Sequence, residues 1–454
     1  MSGQAKDKIA NRSAAALLDR CPDRASMKAE FHRIRLNSVA LTNPLEIEDQ
    51  VIQTSDETSP TKWHLAHMTW FFETLVLNPL HPHYQTLNDT YDYLFNSYYQ
   101  SVGPQYSRPR RGFLTRPTVS EVHDYRAYVE RSMEEFFANA SDDVWQQAAK
   151  IVEVGLHHEQ QHQELILTDI KEVLSHNPLM AAPYAAPAVP PSSAEAPPLG
   201  WTAFEGGLYD FGHDPNAPHA GFAFDSECPR HKQLIRPFEL ASRPVTTGEF
   251  LQFVEAGGYD EAGYWLSDGW AVVEARGWRH PAYWHHIDNV WHEYTLAGLQ
   301  PLNEAAPVAH VSFYEAAAYA AWAGLRLPTE FEWELAANSL PIEGNLLDFT
   351  GTKTTDPFCA PMPRAAKAGG SELTQMFGDV WEWTQTPFLP YPGFQALTGA
   401  LGEYNGKFMC NQMVLRGGSC ATPRDHIRQT YRNFFFPDQR WQFSGFRLAR
   451  DLLT

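Results

Sequence analysis

Two histidines four residues apart, in His158-Glu159-Gln160-Gln161-His162, sit inside a segment, residues 144 to 174, with strong helical periodicity. Residues at i and i+4 share a helix face, so both imidazoles can reach one metal ion. Ile151, Val154, His158, His162 and Leu165 fall on a single stripe, which puts the two rings on the apolar, core-facing side of that helix. An imidazole aimed into a core needs a partner; a hydrogen-bonded core pair is the alternative to a metal. A complete site needs at least one more ligand, and His64 and His67 in the segment Trp63 to Trp70 are the candidates. A three-histidine set suits either zinc hydrolysis or non-haem iron oxygen chemistry, and spacing alone does not choose. Glu159 points about 100° away from His158 on a helix and Glu164 lies half a turn past His162, so both rank below a third histidine. His157 faces away and is expected to be structural or solvated.

The elements that must position these rings are helices. Residues 14 to 40, 60 to 80, 119 to 139 and 142 to 175 carry helical periodicity. Ser59-Pro60 reads as an N-cap and first-turn proline, and Thr118 with Glu121 fits a capping box. Four such helices predict a bundle, which builds metal sites from side chains on facing helices. A polar-rich segment, 81 to 117, is too long for a plain bundle turn and is expected to be functional.

Between residues 176 and 200 the chain becomes rich in proline and small residues, a spacer rather than a packed element. Beyond it the texture changes. Eleven of the 14 tryptophans lie past residue 200, among frequent Gly and Pro, short apolar stretches such as 233 to 240 and 307 to 313, and one clear helix near Tyr314 to Trp322. The fold class expected is therefore a helical bundle over residues 12–175, a linker over 176–200 and an irregular α+β domain over 201–454.

Composition excludes several function classes. The chain has 454 residues, too many for one ordinary core. Its 35 basic and 54 acidic residues give a net charge of −19, which disfavours nucleic acid or an anionic membrane as partner and favours a small molecule. No charged-then-apolar leader and no spanning apolar run is evident, so a soluble, cytoplasmic protein is expected. Five scattered cysteines, Cys21, Cys228, Cys359, Cys410 and Cys420, form no C-x-x-C pair and are expected to be reduced structural thiols.

The pattern Pro60-Thr-Lys-Trp63-His-Leu-Ala-His67 followed by His158-Glu-Gln-Gln161-His162-Gln-Glu164 resembles the DinB-like bundle of the ergothioneine-biosynthesis sulfoxide synthases. The second half resembles their formylglycine-generating-enzyme-like (C-type lectin-like) domain in Arg243-Pro-Val-Thr-Thr-Gly-Glu-Phe250, Leu325-Arg-Leu-Pro-Thr-Glu330, Gly378-Asp-Val-Trp-Glu-Trp-Thr384, Leu415-Arg-Gly-Gly-Ser419 and Ser444-Gly-Phe-Arg447. The latter stretches mark a fold that serves unrelated functions, so the specific signal is their combination with the histidine-bearing bundle.

The resemblance implies that His67, His158 and His162 are iron(II) ligands, that Gln161 contacts the imidazole of hercynine, and that the enzyme joins a thiol sulfur to imidazole C2 and oxidises it to a sulfoxide with O2. It further implies that Tyr98 or Tyr99 donates a proton, with Tyr391 in the C-terminal half a lesser candidate, and that Arg108 and Arg111 grip the carboxylate of the thiol substrate. Without the resemblance, paired loop tyrosines are equally packing residues, and a short basic cluster is more often a solvated surface.

One departure concerns the thiol. Relatives that use γ-glutamylcysteine are expected to carry an aspartate shortly after the asparagine matching Asn433, to pair with the glutamyl ammonium group. Here Phe434 and Phe435 follow. A phenyl ring cannot neutralise that ammonium and fills its space, so free cysteine is the expected thiol. Asn433 is expected to help hold hercynine, whose quaternary ammonium suits an aromatic wall such as Phe434 or Trp441. The alternatives are a selenium–carbon bond-forming enzyme of selenoneine type, a γ-glutamylcysteine-using synthase, a zinc-dependent DinB-type thiol transferase and a non-catalytic lectin-like binding module. An ovothiol-type synthase is disfavoured because no methyltransferase-like third domain is evident.

Overall fold

A computed structural model of the chain describes residues 21–186, 196–217, 220–349, 359–367, 370, 372–397 and 399–452. Part of the expected first helix, the first residues of the expected bundle and the middle of the expected linker, 187 to 195, lie outside the described residues.

Four helices dominate the N-terminal half: α1 (Arg24–Thr42), α2 (Thr61–Phe72), α3 (Val119–Asn139) and α4 (Asp142–Ser175). Their ends follow local chemistry. The Asp23 side chain accepts from Ser26 N at α1, the Thr118/Glu121 capping box closes α3, and Ser141 caps α4. At α2 the expected Ser59 cap is not made: Pro60 occupies the cap position, the Ser59 N–H goes instead to Asp169, and the Ser59 hydroxyl accepts from Arg111. A tertiary partner has displaced the local one. α2 runs on through a π-helical turn, Glu73–Leu77, into Asn78–Leu80. Every residue of α2 is buried, with α3 and α4 both packed on it.

The C-terminal half is built on short strands. A four-stranded sheet has the order Asn433–Phe435, Met413–Arg416, Trp381–Pro387, Ser444–Gly445, with only the last pair parallel. A second sheet sets Phe238–Ala241 between Trp201–Phe204 and Ala449–Asp451, which ties the start of this half to its end. The helix expected near Tyr314 is Phe313–Trp322, but Thr247–Glu255, Ser267–Arg276 and Glu330–Ala337 are also helical, short elements whose apolar content overlaps that of strands.

The motifs of this half form its buried scaffold. Arg416 reaches Glu330 and Glu334, each at 2.8 Å, Arg432 meets Glu330 at 2.8 Å, and Arg447 meets Glu382 at 2.7 Å. Trp333 Nε1 also donates to Glu382 at 2.8 Å. Such pairs, fully withdrawn from water, cost several kcal/mol each to break on one side only. Among the described residues no helix is long and apolar enough to cross a membrane.

The two halves meet along α4. Glu164 accepts from Trp381 Nε1 and Ser419 Oγ at 2.7 Å and from Thr422 Oγ1 at 2.9 Å, and Gln160 donates to Asp425 at 2.7 Å. One helix thus carries the site histidines and the docking contacts on adjoining faces.

Candidate metal centre and substrate cavity

α4 places His158 and His162 one turn apart, and α2, packed against it, supplies His67 and His64. The nitrogens of His67, His158 and His162 lie within 4.8 Å of one another, and all three rings are buried. His67 Nδ1 donates to the Phe95 carbonyl at 2.6 Å, which turns its Nε2 toward His158 Nε2, 3.1 Å away. His158 Nδ1 is buried with no hydrogen-bond partner. His64 stands beside the trio, with Nδ1 2.8 Å from His162 Nδ1 and Nε2 2.9 Å from Asp169 Oδ2.

Burial holds all three imidazoles below their usual proton affinity, with the neighbouring imidazoles adding to the effect at His67 and His162; His158 is taken down to about 3. They are therefore neutral, with a lone pair available at physiological pH. Two nitrogens each about 2.1 Å from one ion, at right angles, lie about 3 Å apart, which matches the separation of the His67 and His158 Nε2 atoms. The donor set therefore fits a borderline divalent ion such as iron(II) or zinc.

The nearby carboxylates do not join the trio. Glu159 is fully buried against Arg35 and Arg126, each at 3.1 Å, and accepts from Ser38 at 2.7 Å, as its 100° offset requires. Glu164 is spent on the contacts with the C-terminal half. His157 stacks on Phe222 at 3.9 Å with Nδ1 3.0 Å from His426 Nδ1, so it is structural.

Beside the trio opens a cavity of about 430 Å³ between the two halves of the chain. His158, His162, Gln161, Tyr98, Arg108, Arg111, Asn433, Phe434 and Phe435 all line it. Tyr99 does not; it lies behind Tyr98, fully buried, the two rings stacked at 4.6 Å, and its hydroxyl has no hydrogen-bond partner. Burial raises the proton affinity of both phenols, so both keep their protons at neutral pH. Tyr391, the lesser candidate for proton donor, does not line the cavity: its hydroxyl donates to Glu330 at 3.2 Å under the Arg432 guanidinium.

Arg111 is the least ordinary wall residue. Its guanidinium lies 3.4 Å from the centre of the Trp63 ring and donates to Ser59 and Ser97 hydroxyls at 2.9 and 3.0 Å. Only 3 % of the residue is exposed and Nε is unpartnered. Burial, then the charge of Arg108, lowers its proton affinity well below the usual value. Arg108 itself is held by the Glu57 carbonyl at the exposed rim. Of the three arginines in the basic cluster, Arg111 is buried while Arg108 and Arg110 are exposed.

Three wall residues were not singled out by sequence reading. Tyr404 donates to Gln161 Oε1, with its ring 5.7 Å from that of His158. Gln161 Nε2 donates to the Tyr431 hydroxyl at 2.6 Å, and that hydroxyl lies 3.0 Å from His426 Nε2. Asp169 joins His64 to Trp441 Nε1, which donates to Oδ1 at 2.9 Å. The Tyr and Asp partners come from far along the chain; only the i+7 spacing of His162 and Asp169 on one helix face offered a signal.

The family described as the sulfatase-modifying factor enzyme 1-like domain matches residues 188–452. The hercynine oxygenase of Mycolicibacterium smegmatis is 32% identical, over 87% of this chain and 91% of its own length. That of Mycobacterium tuberculosis is also 32% identical, with the same coverage of both chains. Ergothioneine biosynthesis protein 1 of Schizosaccharomyces pombe is 27% identical over 51% of this chain and 28% of its own. The two hercynine oxygenase matches extend over the bundle that holds the histidine trio as well as the domain that closes the cavity over it, and the chain therefore belongs to the hercynine oxygenase family.

Proposed function

We propose that the protein is an iron(II)- and O2-dependent sulfoxide synthase that joins the sulfur of cysteine to C2 of the hercynine imidazole, giving hercynylcysteine sulfoxide. The observation that carries this reading is the placement of three buried, neutral imidazoles beside a cavity that also receives an unpaired, buried guanidinium. Bound to His67, His158 and His162, iron(II) would keep its full positive charge, accept a thiolate and activate oxygen. The balance is one O2 for one C–H and one S–H bond: a C–S bond and an S–O bond form, and the second oxygen atom leaves as water.

The chain's own groups have separate tasks. Arg111, which makes no ion pair among the described residues, is the natural site for the cysteine carboxylate, with Arg108 at the rim as a second donor. Gln161 is held rigidly between the Tyr404 and Tyr431 hydroxyls, which leaves one amide N–H and one lone pair for the hercynine imidazole. Asn433 supplies a further polar group on the same wall. Phe434, Phe435 and Trp441 offer apolar faces to a quaternary ammonium group. Phe435 packs edge-on against Trp441 at 5.3 Å, filling the space a glutamyl ammonium would need, which supports cysteine over γ-glutamylcysteine. Tyr98, protonated and at the cavity wall, holds the proton to be delivered, and Tyr99 stands behind it as the adjoining phenol.

The test is to load the metal-free protein with iron(II) without air, add hercynine with equal cysteine and γ-glutamylcysteine, admit air and identify products by mass. A hercynylcysteine sulfoxide that requires both iron and oxygen is expected. A γ-glutamyl adduct overturns the choice of thiol, and turnover without oxygen overturns the reaction class.

A further inference from the structure

We infer that Glu403 and Lys407 are positioning residues that latch the Tyr98-bearing loop against the wall of the cavity, an inference that rests on the reading of Tyr98 as proton donor. A hairpin of a few residues would suffice to join the neighbouring strands Trp381–Pro387 and Met413–Arg416, yet the chain between them is far longer and reaches across to the bundle. Its residues 399–412 carry Tyr404, Asn405, Phe408 and Gln412, all of which line the cavity. This strap is fixed in its own half: Asn405 Nδ2 donates to Asp225 at 2.8 Å, Tyr404 stacks on Phe224 at 5.3 Å, and Phe408 stacks on Phe434 at 5.9 Å. The facing loop of the bundle, residues 96–103, is folded by its own Asn96, which accepts from the Tyr99 N–H at 2.9 Å and donates to the Tyr99 and Gly103 carbonyls at 3.0 and 3.1 Å. Ser97 ties it to the bundle by accepting from Arg111 at 3.0 Å.

Each piece is thus shaped by its own half, and charged groups join the two. Glu403 accepts from two successive backbone N–H groups, Gln100 at Oε2 and Ser101 at Oε1, both at 2.8 Å. A carboxylate that gives one oxygen to each N–H fixes both the distance and the orientation of that stretch of backbone. Lys407, four residues on, pairs with Glu403 at 3.0 Å and grips Tyr98 in two places: it donates to the carbonyl, and its ammonium lies 4.8 Å from the centre of the phenol ring. Phe408 then meets the Tyr98 ring edge-on at 5.1 Å, and Tyr99 stacks on it at 4.6 Å. The Tyr98 carbonyl and the two amides that follow Tyr99 are therefore all held by the strap. Neither Glu403 nor Lys407 lines the cavity, so each acts on the chemistry through the loop.

The test compares wild type, Glu403→Ala, Tyr98→Phe and the double variant, each as the iron(II)-loaded full-length chain, with circular dichroism as the control for folding. Residue-resolved amide hydrogen exchange reads the latch itself. The Gln100 and Ser101 amides are expected to exchange about 3- to 12-fold faster in Glu403→Ala, the loss of one net hydrogen bond each, while the Tyr99 amide, held by Asn96, keeps its wild-type rate. Sulfoxide formation reads the consequence. Glu403→Ala should lower kcat about 10- to 100-fold and leave the KM for hercynine within about threefold. In the Tyr98→Phe background, where the group being positioned is gone, the same change should cost less than about threefold. Unchanged exchange at Gln100 and Ser101 would overturn the latch. An unchanged kcat, or equal losses in both backgrounds, would overturn the positioning role even where exchange quickens. If wild type makes no sulfoxide, or Tyr98→Phe turns over as wild type does, the functional reading is wrong and the positioning role falls with it, while the exchange rates still decide whether Glu403 holds the loop. Should Glu403→Ala not fold, Glu403→Gln replaces it: with one oxygen left for two N–H groups, one of the two amides should quicken and kcat fall by about threefold or more, and wild-type behaviour in both measurements overturns the inference.

Discussion

Replacing Phe435 by aspartate tests why this cavity should prefer cysteine to its γ-glutamyl derivative. Phe435 lies on the edge strand Asn433–Phe435, lines the cavity and touches Trp441 edge-on at 5.3 Å. Losing that ring contact costs about 0.5–1.5 kcal/mol, and the new carboxylate loses some hydration, but both costs fall on the protein whichever thiol is bound and cancel in a ratio. What remains is the bond between the new carboxylate and the glutamyl ammonium, which cysteine cannot make in the same place. A hydrogen bond to a charged group contributes about 1.5–3 kcal/mol. The ratio of kcat/KM for γ-glutamylcysteine over cysteine should therefore rise about tenfold to about 150-fold in Phe435→Asp. Phe435→Asn makes the same room without the charge and should move the ratio by no more than about threefold. The assay is competition between the two thiols at limiting hercynine, with both adducts counted by mass. An unchanged ratio in Phe435→Asp, or an equal rise in both variants, would refute the charge argument and leave size alone.

Three further outcomes are expected. Tyr98→Phe should slow turnover by about 10²- to 10⁴-fold, the range for a lost positioned proton donor, whereas Tyr99→Phe, which removes a buried hydroxyl without a partner, should hold or raise the thermal midpoint; wild-type rate and product ratio in both would end their proton-donor role. Metal removal by a chelator should abolish sulfoxide formation, with activity restored by iron(II) and not by zinc; restoration by zinc would sink the redox reading. At Glu330, burial pushes the carboxyl up but Arg432 and Arg416 pull it below its ordinary value. A depressed folded pKa means the stabilisation is complete above the unfolded value of about 4.3 and is lost as pH falls through the folded one. Glu330→Gln should then cost about 3–5 kcal/mol at neutral pH, and the gap to wild type in urea unfolding should narrow below about pH 4; a constant gap would contradict the assignment.

Much of this was legible in local pattern because the physics is local. The period of a helix put His158 and His162 on the buried stripe, turned Glu159 away from them, and marked α3 and α4 to their ends, whereas α1 begins at Arg24, ten residues later than its expected start. The change in texture past residue 200 announced a second architecture. The structure alone decided which groups those residues meet. Ser59 looked like a helix cap, but Pro60 takes the cap position, and the Ser59 hydroxyl that would have accepted from the helix accepts instead from the buried Arg111 guanidinium, while its N–H donates to Asp169. Helix period kept both His64 and His67 open as ligands, and only the packing of α2 on α4 set His67 beside His158 and His64 beside Asp169. Arg111 read as half of a surface cluster until burial over Trp63 made it an unpaired charge in a wall. Tyr404 and Tyr431 stand more than 240 residues from Gln161 in sequence and within hydrogen-bond reach of it in space. Spacing along a chain encodes the face a side chain occupies; the partner across the cavity is set by how two separately patterned halves dock, and no local period carries that.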